Sequence, residues 1–129
     1  MGSHAYARLG YGYDLGGDEG EFKTREDIES LDWYDEDLGL EESAKKVIGE
    51  FLTPEESKGV HFQTYGNLSY GYTGTMLFTG PSLSRNWVAE IEIPEITDEH
   101  RHRLTVVLET LGITPDQEEP RWLLATHYG

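Results

Sequence analysis

Two helical apolar stripes, set among segments that alternate with a period of two, constrain the fold of this chain most. Ala44, Val47, Ile48 and Phe51 fall at i, i+3, i+4 and i+7, which places them on one face of a helix over Glu41–Leu52. Leu104, Val107, Leu108 and Leu111 repeat that spacing in a second helix over Thr97–Leu111. Thr97 suits the N-cap, Asp98 and Glu99 suit the first turn, and Gly112 supplies a left-handed stop. Pro54 ends the first helix, and Glu41 and Glu42 lie at the positive end of its dipole.

The remaining regular segments read as strands. In residues 5–13, Ala5, Ala7, Leu9, Tyr11 and Tyr13 share a face, and the glycines opposite the tyrosines predict close packing or a bulge. Residues 60–65 alternate, with Val60, Phe62 and Thr64 on one side. Tyr70, Tyr72, Met76 and Phe78 share a face in the next segment. Trp87, Ala89, Ile91 and Ile93 do so before Pro94, and Trp122, Leu124, Thr126 and Tyr128 in the last segment. Gly66-Asn67 and Gly80-Pro81-Ser82 are turn signals. Short helical turns are expected after Thr24, at Thr53-Pro54-Glu55-Glu56 and at Thr114-Pro115-Asp116-Gln117. The expected fold is α+β: an antiparallel sheet of about five strands with two main helices packed on one face, as a single domain over residues 1–129. A chain of this size buries about two-thirds of its unfolded surface, enough for a core without metal or disulfide staples.

Charge is distributed unevenly along this frame. Residues 1–57 hold sixteen Asp/Glu against five Lys/Arg, residues 58–89 hold no acid and two bases, and residues 90–129 hold nine acids and three bases. The net charge is −15 and the pI about 4.5. Such a charge governs solubility, steering and partner choice rather than fold. It opposes direct binding to nucleic acid and to anionic membranes and favours a basic partner. No apolar run reaches the roughly 18 residues that span a bilayer, and no basic-then-apolar leader opens the chain. The absence of cysteine excludes disulfides, thiolate catalysis and Cys-based zinc sites, and fits a reducing compartment.

Catalytic and cofactor signatures are lacking. Asp32, Asp35 and Asp37 suggest a hard-cation loop, but the sixth position counted from Asp32 is Asp37, where the familiar calcium loop has glycine. His100 and His102 are two apart on a helix and point to different sides, so they make no zinc pair. No Gly-x-Ser-x-Gly elbow marks a nucleophile. The glycines at 10, 12, 16, 17 and 20 match neither a P-loop nor a dinucleotide fingerprint. Neither metal nor cofactor is expected, and an enzyme of unknown class ranks last.

The opening Tyr11-Gly12-Tyr13-Asp14-Leu15-Gly16-Gly17-Asp18, the middle Asp32-Trp33-Tyr34-Asp35-Glu36-Asp37, and the ending Leu111-Gly112-Ile113-Thr114-Pro115 with Pro120-Arg121-Trp122-Leu123-Leu124 resemble small acidic proteins encoded by bacteriophages of actinobacteria. The resemblance covers both ends of the chain and is weaker across residues 58–96. It implies a context and no activity: a phage accessory protein acting in the host cytoplasm.

The expected function is that of an acidic protein-interaction module, an inhibitor that occupies a basic, nucleic-acid-binding surface of a host protein by mimicking DNA. Rigidly held carboxylates can imitate a phosphate array that carries one charge per roughly 1.7 Å of axis. Asp32, Asp35, Glu36, Asp37, Glu41 and Glu42 are assigned that role, with Trp33 and Tyr34 as anchors. The plain competitor is that the charge only keeps a small protein soluble and monomeric. A second class is a small-molecule-sequestering protein that uses an acid-free face of Tyr65, Tyr70 and Tyr72. Phe62, Phe78 and Trp87 are expected in the core. A homo-oligomer is compatible with the sequence.

Overall fold

The computed structural model describes residues 5–17, 21–67, 72–85, 88 and 90–128. Among these residues four strands and two α-helices follow one another as β1 (Ala5–Asp14), α1 (Gly39–Phe51), β2 (His61–Asn67), β3 (Tyr72–Arg85), α2 (Asp98–Leu111) and β4 (Arg121–Tyr128). The α+β class is as expected; the sheet is not. It has four strands, is mixed rather than wholly antiparallel, and closes on itself in the order β1-β3-β2-β4. Insertion of β3 between β1 and β2 makes a split βαβ arrangement.

Three of the four interfaces are antiparallel, and the ring closes where Gly66 and Asn67 run parallel to His127 and Tyr128. Three antiparallel steps alone would leave β2 and β4 antiparallel. Twist of roughly 20–35° per interface accumulates over those steps to on the order of 90°, enough to bring the strand ends together with the other sense. A bulge adds curvature: Leu9 pairs with Leu83 and Tyr11 with Thr79, so Gly80, Pro81 and Ser82 bow out opposite Gly10.

The bulge lengthens one expected strand, and another expected strand is missing. Gly80-Pro81-Ser82 bends one long strand instead of ending it. The strand expected over Trp87–Ile93 is absent among the described residues of that segment. Residues 88 and 90–97 have no regular structure, and Val88, Ile91 and Ile93 are exposed. A strand needs an edge to pair with, and β1 is already occupied by β3 on one side and β4 on the other. Trp87 and Ala89 lie outside the described residues.

One face of the sheet carries the helices. Leu15, Phe62 and Leu77 join Leu40, Ala44 and Val47 of α1, Leu104, Val107, Leu108 and Leu111 of α2, and Ile28 and Ile113 in one buried cluster, with Tyr11 and Tyr13 packed against it. The α2 stripe is therefore buried as expected, in one cluster with Leu77 and its neighbours. The α1 stripe is displaced by one turn: Leu40 is buried, whereas Phe51 is exposed. Alternation turns Met76 and Phe78 to the barrel interior, where both are buried. Gly12 lets β1 approach β3 there, since a Cβ at Gly12 would stand 1.9 Å from the Leu77 carbonyl oxygen.

The helix ends follow their sequence signals where a partner is local. Thr97 caps α2 in a reciprocal box, with His100 standing where Glu is usual: the His100 amide donates to the Thr97 hydroxyl and the Thr97 amide to His100 Nδ1. Gly112 closes α2 at φ 70°. Thr53 and Glu56 exchange the same pair of bonds. Two expected starts differ. The cap of the turn at Ile28–Ser30 is Asp27, not Thr24, whose hydroxyl donates to the Glu26 carbonyl. No helix follows Thr114, because Gln117 reaches back to β1, accepting from the Asp14 amide and donating to the Gly12 carbonyl.

Candidate functional site

The acidic segment 32–37 is a pinned loop. Ile28, fully buried, fixes the turn that precedes it. The Trp33 indole N–H donates to the Leu111 carbonyl at 2.9 Å, joining the loop to the end of α2. Tyr34 packs edge-on against Phe22, with ring centroids 5.9 Å apart. The buried Ser43 hydroxyl accepts from the Asp35 amide and donates to the Asp35 carbonyl. That carbonyl also accepts from the amides of Leu38 and Gly39, so the loop runs directly into α1. Asp35 Oδ1 accepts from the Asp37 amide at 2.9 Å and closes the turn between them.

The consequence is an open groove of about 600 Å³ between this loop and the outer side of α1. Asp32, Trp33, Tyr34, Asp35, Glu36 and Asp37 line one wall, and Lys46, Val47 and Glu50 the other. Five carboxylates thus face a single ammonium. Asp32, Asp35, Glu36, Asp37 and Glu50 are all exposed, so their charge acts through solvent and is screened by salt.

The structure brings together six of the eight residues expected to form an interaction surface. Glu41 and Glu42 are elsewhere. Glu41 accepts from the Thr64 amide at 3.0 Å and ties α1 to β2, while Glu42 is exposed beside Lys45. Trp33 and Tyr34 are half-buried, and their bonds and ring contacts face inward. Glu50 was not expected, although helical spacing places it on the same face as Lys46.

Of the three tyrosines of the expected acid-free face, Tyr65 is the one whose side chain is described. Tyr65 points into the barrel end, packs against Gly74 and donates to Asp14 Oδ1 at 2.7 Å. Tyr72 pairs with Asn67 through the backbone, and Tyr70 lies outside the described residues. Asp14 is the centre of a polar cluster at this end, accepting from Lys23 Nζ at 2.8 Å and from the Gly16 amide at 3.0 Å. Burial alone raises the Asp14 pKa, but the bonds from Lys23, Tyr65 and Gly16 outweigh it and hold the carboxyl below its ordinary value.

Among the described residues no cluster of three His, Asp or Glu side chains is placed to hold a metal. No described helix is long and apolar enough to cross a membrane. No protein-family model matches the chain, and no curated protein or solved structure is detectably similar to it.

Proposed function

We propose that this protein is an acidic interaction module whose groove at residues 32–37 and α1 receives a basic segment of a protein partner. The observation that carries this reading is rigidity. Trp33, Ser43 and the turn closed by Asp35 tether the backbone that carries Asp32, Asp35, Glu36 and Asp37 before any partner arrives. Charges held in advance cost less ordering on binding than charges on a loose loop. A role in solubility alone would need no such tethering.

In the phage setting that the sequence resemblance implies, the partner is a host protein in the cytoplasm whose basic surface otherwise binds nucleic acid, and the groove takes the place of phosphates. Steering by charge sets the rate of encounter more than the lifetime of the complex. Replacing Asp35, Glu36 and Asp37 with Asn, Gln and Asn keeps the acceptor that closes the turn and removes the charge. The triple variant should associate about tenfold more slowly with a partner captured from host lysate, and with a flatter dependence on salt. Unchanged association at low salt would reduce the acidic loop to a solubility device.

A further inference from the structure

One edge of β4 lacks a strand over most of its length. β4 pairs with β1 throughout, but with β2 only where Gly66 and Asn67 meet His127 and Tyr128. From Arg121 to Thr126, every second residue turns its backbone N–H and C=O away from β1. Those groups have no partner among the described residues. The barrel is open here: His61 faces its interior beside Phe78 and is nevertheless exposed. On β2 the facing edge is blunted, since the Thr64 amide is given to Glu41. On β4 no proline, bulge or lysine protects it.

Residues 90–93 are the converse, a strand pattern without an edge. Glu90 and Glu92 fall on one side, Ile91 and Ile93 on the other, and Pro94 ends the run. All four are exposed, as is Val88 before them, and none has regular structure. Arg85, at the end of β3, pairs with Ala7 on the side of β1 away from β4, so the segment leaves the sheet far from the open edge. We propose that residues 90–93 of one copy of this chain add as a strand to the open β4 edge of a second copy, reciprocally, in a two-fold dimer.

Both faces of that pairing match. Leu124, in the middle of β4, is 70% exposed, with Leu9 of β1 directly opposite it. Trp122 lies on the same face, where its ring meets Tyr11. A strand that sets Ile91 and Ile93 on this face covers Leu124. Glu90 and Glu92 then fall on the other face, where β1 and β4 carry Arg8 and Arg121. Copies of net charge −15 repel one another, so the contact strengthens as salt screens that repulsion. The acidic groove has the opposite response to salt.

Sedimentation equilibrium of the full chain, from about 10 μM to about 1 mM at low and at moderate salt, tests the proposal. The mass should rise from 14.6 kDa toward twice that value, and further at moderate salt. In a mixture of isotopically labelled and unlabelled copies, filtered NOEs should join Ile91 and Ile93 of one copy to Leu124 of the other. Ile91→Pro removes a ladder donor from the exposed segment, and Leu124→Lys places a charge at an exposed position of the edge strand. Each should weaken dimerisation about tenfold or more and leave the thermal midpoint of the dilute protein unchanged. A monomer at every concentration, Ile91–Leu124 contacts within one copy only, or undiminished dimerisation in either variant would overturn it.

Discussion

The Trp33 indole N–H donates to the Leu111 carbonyl at 2.9 Å, across 78 residues of sequence. Leu111 is the last residue of α2, so its carbonyl has no partner within the helix. One bond therefore satisfies the last carbonyl of the helix and joins the acidic loop to it. Trp33→Phe should cost about 1–2 kcal/mol, because it leaves that carbonyl without its donor while keeping most of the ring. Trp33→Ala should cost about 2–4 kcal/mol and loosen residues 32–37. Urea melts measure the first effect, and amide exchange across 32–37 measures the second. A Trp33→Ala variant as stable as the parent would show that the indole does not hold the loop.

Asp14 and Tyr65 form a comparable bond at the barrel end, across 51 residues. The folded Asp14 carboxyl binds its proton less readily than the unfolded one. Its contribution to stability is therefore complete above the unfolded pKa and is lost as pH falls through the folded value, below the ordinary carboxylate range. Tyr65→Phe removes one of the bonds that lower this pKa, so the acid limb of the stability–pH curve should become shallower. Denaturant melts from neutral to acidic pH, on the parent and the variant, check the sign. Superimposable limbs would mean that the Tyr65 bond does not act on Asp14.

Thr79 is fully buried on β3, and its hydroxyl has no hydrogen-bond partner among the described residues. Burying such a group costs about 1–3 kcal/mol. Thr79→Val keeps the shape and removes the cost, so the variant should gain roughly 1 kcal/mol. Chemical denaturation of the two proteins gives the difference directly; a loss of stability would mean that the hydroxyl is satisfied in solution.

The parts legible in the sequence were those whose partners are local. Thr97 and Gly112 bound α2 because cap and helix are contiguous. The glycines of β1 announced close approach, and Gly12 provides it. Alternation at Trp87–Ile93 looked as strand-like as that of β1, but pairing depends on a free edge, and closure of the barrel is a property of the whole sheet. Pro81 read as a break because nothing nearby in the chain shows that Gly10 stands opposite the bulge. The acid at 32–37 was visible as composition. Its rigidity was not, because it rests on Ser43 and on Leu111, which meet the loop only once α1 and α2 have packed.

The groove itself can be tested without knowing the partner. Oligoarginine titrated into isotopically labelled protein, at low and at moderate salt, reports where a basic chain settles. The largest amide shifts should fall on residues 32–37 and on α1 around Lys46 and Glu50, and replacing Asp35, Glu36 and Asp37 with Asn, Gln and Asn should remove them. Shifts spread evenly over the other acidic segments, such as residues 90–99, and unchanged in the triple variant, would contradict the account.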